Sequence, residues 1–416
     1  MLDIKFIREN IDVVKDGCKK KKCNIDFDAI EALDAERRTL IQKAEEMKAA
    51  QNQANEEMAR LKKEKLDFSD KIKELRELSG KIKVLDVEVL SVSEKLNEIL
   101  IRIPNIPHDT VPVGGEENNK IVREWGIKRA FNFTPKDHLE IAEQLSMIDM
   151  PRAAKITGRG FVLYKGIGAK LERALINFMI DTHVEKHGYT EVFPPFLVNR
   201  DSMFGTGQIP KLEEDMYALK DDDFFLIPTA EVPVTNIHRD ETFEESELPV
   251  KYVAYTPCFR REAGSYGKDT RGLSRVHQFD KVEMVKFVKP ENSFSELEAL
   301  LNDAEEILQI LNIPYRVVTL ASGDLSFAAS KCYDIEIWAP GSNKWFEVSS
   351  CSNFCDFQAR RANIKYKDKE TKKKKLVHTL NGSGVALARL VIAIIENYQT
   401  AEGNIDWPEA LKKYLK

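Results

Sequence analysis

From Ile30 onward the apolar side chains fall by threes and fours: Ile30, Leu33, Leu40, Ala44, Met47, Ala54, Met58 and Leu61, with Arg37 and Gln51 in the skipped slots. After a polar break near Asp67 to Asp70 the spacing resumes at Leu75, Leu78, Ile82, Leu85, Val89, Val92, Leu96, Ile99 and Ile103. A stripe that returns every three to four residues, flanked by charge, turns one face of a helix toward a partner and the rest toward water, the pattern of a coiled coil. Only a short turn separates the two runs, so they are predicted to fold back antiparallel. At ~1.5 Å per residue each arm would be roughly 50 Å long, more than a small core requires. Periodicity alone favours a spacer or dimerisation device over a nucleic-acid arm. Lys62, Lys63, Lys65, Lys71 and Lys73 around the turn suit phosphate, but Glu and Asp are interleaved.

Pro104, Pro107 and Pro112, with the run GGEENN, end the helical pattern. The boundary is placed there, giving a helical hairpin over residues 1–104 and a second domain over 105–416. A chain of 416 residues exceeds one typical core, and 43% hydrophobic content suffices for globular folding. A net charge of −5 argues against a protein that coats nucleic acid along its whole surface; any such contact needs a local patch. The cysteines at 18, 23, 258, 332, 351 and 355 have no zinc-site spacing and read as reduced thiols. MLDIKFIRENIDVV lacks a signal-peptide core, and no run reaches the ~18 apolar residues of a membrane span. The expectation is a cytoplasmic protein with no membrane partner.

Within the second domain, Lys251 to Phe259 is an apolar lead-in, a Gly-rich segment with Gly264, Gly267 and Gly272 follows, and the chain returns as VHQFDKVEMVKFV. Strand, polar loop and strand predict an antiparallel hairpin with a charged loop. Arg260, Arg271 and Arg275 fall within it, and guanidinium forks match phosphate oxygens bidentately. Alternation puts Arg260 with Glu262 on one face, and sets Phe279, Lys281 and Glu283 opposite Gln278, Asp280 and Val282. Thr229-Ala230-Glu231 stands at a strand-to-helix junction, either as a helix start or as polar groups for a small zwitterion. Glu347, Ser349 and Ser350 close a strand with hard oxygen donors of the kind magnesium accepts, though serines there are more often turn residues. Gly166 to Gly168 reads as a helix start rather than a phosphate loop. The run KDKETKKKKL reads as a flexible loop. From Val385 to Ile395 the chain is apolar nearly all round, a buried helix whose Arg389 must face a carboxylate or an anion.

These stretches resemble a known family. F-R-x-E, a Gly-containing loop and R-x-x-Q-F-x-K-x-E are similar to motif 2 of class II aminoacyl-tRNA synthetases. The helix from about Gly168 to Lys186 with YTEVFPPF resembles motif 1, and the segment around Arg389 resembles motif 3. Ala388 stands where many relatives have glycine, and Leu390 where threonine is common. REAGSYGKDTRGLSRVHQFDKVE, GTGQIPKLEEDMY, FFLIPTAEVPVTN and N-G-S-G look like the seryl-tRNA synthetases. The resemblance implies an α+β fold, an antiparallel β-sheet catalytic core flanked by helices, preceded by a coiled-coil hairpin that grips serine tRNA. It implies a homodimer that uses ATP and Mg2+ to activate L-serine and charge tRNA; whether selenocysteine tRNA is a second acceptor stays open. On this reading Arg260 and Arg389 are catalytic, on the α- and γ-phosphates. Arg260, Arg261, Glu262, Phe279, Glu347, Val348, Ser349, Ser350 and Arg389 bind ATP, Glu347 and Ser350 hold the metal, and Thr229, Ala230, Glu231, Arg260, Glu283 and Ser383 receive serine. Two rivals are an adenylating relative that loads a carrier protein, against which the heptads count, and a non-catalytic interaction protein, against which Arg260, Glu262 and Arg389 count.

Overall fold

The computed structural model describes residues 1–263 and 272–416, and the chain divides into two compact units, Met1–Pro104 and Asn105–Lys416. In the first unit, helix α1 (Phe27–Lys63) and helix α2 (Ser69–Leu100) carry the two apolar stripes. Asp26 caps α1 by accepting the Ala29 N–H, which supplies one of the orphan donors of its first turn with a partner. Ile30, Ala44 and Ala54 of α1, and Ile82, Val92, Leu96 and Leu100 of α2, are buried along the seam. Arg37 donates to Ser93, Lys48 pairs with Asp86 and Lys71 with Glu57. The partners' numbers descend as those of α1 rise, so the helices run antiparallel. Exposed pairs of this kind are worth ~0–1 kcal/mol each; the apolar seam holds the hairpin.

The second unit is built on an eight-stranded sheet of β1 (Lys120–Trp125), β2 (Thr190–Glu191), β3 (Val250–Phe259), β4 (Gln278–Val288), β5 (Tyr315–Thr319), β6 (Lys331–Ala339), β7 (Lys344–Asn353) and β8 (His378–Ala386). The order is β1-β5-β6-β7-β8-β4-β3-β2, antiparallel throughout except for β2, which runs parallel to β3 at one edge. Pro194 and Pro195 cannot donate to a ladder, so YTEVFPPF pairs over only two residues. Helices α3 (Ile167–Glu185), α4 (Ser293–Ile310) and α5 (Leu387–Asn397) join the sheet in the main core. Gly166 opens α3 at a positive φ, which explains that glycine as a helix start.

Alternation along β4 decides what lies on each face. Val282, Met284 and Val288 enter the core shared with the helices, whereas Phe279, Lys281 and Glu283 line a cleft on the opposite side. Two bulges modify the neighbouring strands. The pairing of β7 with β6 shifts between Glu347 and Ser349, and that of β8 with β4 shifts between Ser383 and Val385. An extra residue reverses the facing of all that follows it. Glu347 and Ser350, three apart, therefore share a face that regular alternation would deny them, as do Ser383 and Ala386. Val385 takes φ +127°, a costly conformation for a β-branched residue, at the second bulge.

Three expectations need correction. Val385 belongs to β8, and α5 begins only at Leu387, so Arg389 lies in its first turn with a side chain 27% exposed rather than deep in a buried helix. Lys374–Leu376, inside the lysine-rich run, pairs with Lys365–Lys367, and Asp368 accepts from Thr371 and Lys375 across the turn, so the run is a hairpin rather than a loose loop. Glu262 is not on a strand: β3 ends at Phe259 and Glu262 adopts φ +53°.

Candidate active site

The ends of β3, β4, β7 and β8 and the first turn of α5 surround one cleft of about 640 Å3. Its walls separate into a cationic end and an acidic end. At the cationic end Arg260 leaves the hairpin with its guanidinium carbon 5.2 Å from the Phe279 ring centre and its Nε donating to the Pro228 carbonyl at 3.3 Å. Stacking on an aromatic face and a carbonyl bond fix the plane of the fork. Arg275 pairs with Glu262 and lines the same wall. From the other side Arg389 donates Nε to the Ser274 carbonyl at 3.1 Å and Nη1 to the Glu347 carbonyl at 2.6 Å, with the Glu347 carboxylate 3.5 Å away. The carboxylate expected beside Arg389 is therefore present.

At the acidic end Glu283 is fully buried, accepting from Asn381 Nδ2 at 3.1 Å and Ser383 Oγ at 3.4 Å and pairing with Lys281. Lys281 also donates to Thr229 Oγ1 at 2.9 Å. Thr229 Oγ1 accepts the Glu231 N–H at 3.2 Å, so this threonine braces the start of the short helix Glu231–Asn236 as well as facing the cleft. Glu231 accepts from Gln358 Nε2 at 2.6 Å. Burial, and then repulsion from Glu283, push the Glu231 carboxyl up to about 7.

Glu347, Val348, Ser349 and Ser350 line the cleft between the two ends. Ser349 Oγ donates to the Ser383 carbonyl at 2.6 Å and ties the two bulged strands together. Ser350 Oγ lies 3.1 Å from Cys332 Sγ. Burial, and then the Glu347 charge, hold the Asp334 carboxyl well above its usual range.

Two candidates stand elsewhere. Ala230 packs in a secondary core with Val234 and Phe243, and the exposed Arg261 donates to the Glu214 carbonyl. Each neighbours a cleft residue, and successive side chains diverge from the backbone. Arg271, with Gly264 and Gly267, lies outside the described residues. Lys281, Gln358 and Asn381 were missed as site residues. Alternation placed Lys281 beside Glu283, but a strand lysine ordinarily points to solvent; Gln358 arrives from a segment whose proximity no local pattern signals.

Residues 1–107 match the family model described as the seryl-tRNA synthetase N-terminal domain, and residues 215–398 that of the tRNA synthetase class II core domain (G, H, P, S and T). A serine–tRNA ligase of Carboxydothermus hydrogenoformans is 55% identical over 416 residues, which cover 100% of this chain and 98% of that protein. The chain belongs to the seryl-tRNA synthetase family. Among solved structures it is similar to the seryl-tRNA synthetase from Pyrococcus horikoshii complexed with ATP, with TM-score 0.92 at 38% identity, covering 100% of this chain and 98% of that one. It is also similar to the cytoplasmic serine–tRNA ligase from Naegleria fowleri in complex with AMP, with TM-score 0.88 at 32% identity and coverage of 100% and 97%. A seryl-tRNA synthetase joins serine to tRNA, and that ligation is the activity of this chain. The α+β fold and the synthetase motifs read from the sequence stand.

Proposed function

We propose that the cleft uses ATP to convert L-serine to seryl-adenylate and then passes the seryl group to the 3′ end of serine tRNA, with the side chains above dividing the work. A serine carboxylate oxygen forms a bond to the α-phosphorus as the bond to the pyrophosphate oxygen breaks. The terminal ribose hydroxyl of tRNA then attacks the seryl carbonyl and AMP departs. Such a displacement needs positioning and charge neutralisation more than an acid or base. The observation that carries the reading is that Arg260 and Arg389 line one cleft from different elements. Arg260 takes the α-phosphate and Arg389 the γ-phosphate. Phe279 stacks on adenine while holding Arg260, so base and α-phosphate are registered by one ring. Glu262, held by Arg275, accepts from the adenine amine.

Magnesium fits the wall between the arginines. Mg2+ is bound through one or two carboxylates while substrate phosphates and water complete its shell. Glu347 offers a carboxylate 48% exposed and Ser350 a hydroxyl on the same face. Among the described residues no group of three or more His, Cys, Asp and Glu forms a cage, which suits a metal that arrives with the nucleotide. Bound there, the ion would neutralise charge on the phosphates.

The helical hairpin of residues 1–104 grips serine tRNA, and the catalytic unit of residues 105–416 pairs with a second copy in the cytoplasm. Phe193, 72% exposed beside the edge strand β2, gives such a copy an apolar side chain to cover. Among the described residues no helix is long and apolar enough to cross a membrane. The deciding assay is exchange of labelled pyrophosphate into ATP with each amino acid in turn. Serine alone should drive exchange, and exchange driven by another amino acid would overturn the reading. Arg260→Ala should lower exchange by roughly 10²-fold or more, as loss of a preorganised charge donor does. Glu283→Ala should raise the KM for serine.

A further inference from the structure

A buried lysine stands at the serine end of the cleft, and nothing in the activation chemistry above uses it. Lys281 is only 6% exposed, a placement that is costly for an ammonium unless it is paired. Its pairing with Glu283 and its bond to Thr229 Oγ1 at 2.9 Å occupy two of the three N–H donors that an ammonium carries. Glu283, an acceptor only when ionised, is held by Lys281, Asn381 and Ser383 together.

A hydroxyl group both donates and accepts, so a carboxylate alone satisfies half of it. Around Glu283, Ser383 Oγ directs its one O–H to the carboxylate and Asn381 Nδ2 one of its two N–H groups, whereas Lys281 offers a charged donor beyond its two bonds. Charge points the same way. Of the two carboxylates at this end, Glu283 is the one paired with Lys281. Glu283 is occupied by Lys281, so the α-ammonium of an amino acid falls to Glu231, which Gln358 engages through one oxygen.

Resting on the seryl reading of the cleft, we propose that Lys281 is a specificity-determining residue. It donates its remaining N–H to the oxygen of the substrate's side-chain hydroxyl while Glu283 accepts the hydroxyl proton. A small β-hydroxy amino acid then satisfies both members of the pair, and alanine leaves both short of a partner in a desolvated pocket. Sites that must hydrogen-bond a hydroxyl reject analogues lacking it far more strongly than pocket size can. Cysteine, a weak donor and weak acceptor, is disfavoured on both counts.

The test is pyrophosphate exchange by the full chain carrying Lys281→Met, which keeps length and removes the donor. Serine kcat/KM should fall by about 10- to 100-fold, the loss expected for one hydrogen bond from a charged group. Alanine activation should fall less than serine activation, because loss of the charge beside Glu283 acts on both substrates while only serine also loses a hydrogen bond. A merely structural role would instead depress serine and alanine together, and an unchanged ratio between them would overturn the proposal. Lys281→Arg keeps the charge but moves the donors, and it serves if the methionine variant does not fold. It should lose at least about fivefold of the serine-to-alanine ratio, and retention of the ratio would count against the proposal equally. Absence of serine exchange in the wild type would overturn the cleft reading and this inference with it. Serine exchange in the wild type with an unaltered ratio in both variants would overturn the inference alone.

Discussion

Glu231 shows how a single residue couples burial to function. Its carboxyl, raised to about 7 mainly by burial, must be ionised to attract the serine ammonium. As pH falls below 7 it takes up a proton, so serine kcat/KM in the exchange assay should decline toward about tenfold per pH unit, while the KM for ATP stays level. Stability moves oppositely. The folded-state pKa lies above the unfolded one, so the native state binds more protons between the two values, and stability is lost as pH rises through 7. Glu231→Gln should therefore weaken serine binding, abolish the acid limb and raise the melting temperature at pH 8. Arg260, Glu283 and Arg389 were legible as residues of one cleft because the motifs that carry them are local, and Glu283 also because β4 alternates regularly. Lys281 was legible only as a face: its burial arises when the segment carrying Thr229 closes over the strand it shares with Glu283, which is tertiary information.

The elements follow the same division. The helical hairpin was readable from spacing alone, because each residue's environment there depends on positions three and four away. The lysine-rich hairpin of Lys374–Leu376 was misread, since charge density suggests solvation and the pairing partner Lys365–Lys367 carries no distinctive signal. The bulges were invisible for a related reason: an extra residue leaves the composition of a strand unchanged. One of them is braced from beneath by α3. A Cβ on Gly384 would come within 2.6 Å of His183 Nε2. His183 is fully buried and stays neutral, its pKa lowered to about 3 chiefly by burial. It cannot swing into solvent to make room, so Gly384→Ala should force β8 outward and cost about 1–3 kcal/mol in denaturant titrations. Because Ser383 lies on the same bulge, the KM for serine should rise in parallel.

For the whole molecule, the proposal that the units Met1–Pro104 and Asn105–Lys416 carry different tasks can be tested in one assay. Deleting residues 30–100 should leave serine-dependent pyrophosphate exchange within a few fold of wild type and abolish charging of tRNA. Loss of both would show that the catalytic unit needs the arm. In sedimentation, a protein of 47.6 kDa should behave as about twice that mass across dilution. The bulge at 347–349 has a further consequence, for how the chain tolerates changes in length. Removing the single codon for Val348 would let β7 pair with β6 as an uninterrupted ladder, so the sheet need not be lost. Glu347 and Ser350 would then stand two apart on a regular strand and keep their common face, so the corner offered to the metal would survive. Losing this codon would take one lining side chain from the cleft without parting the two oxygen donors, so a shortened strand could still serve the nucleotide.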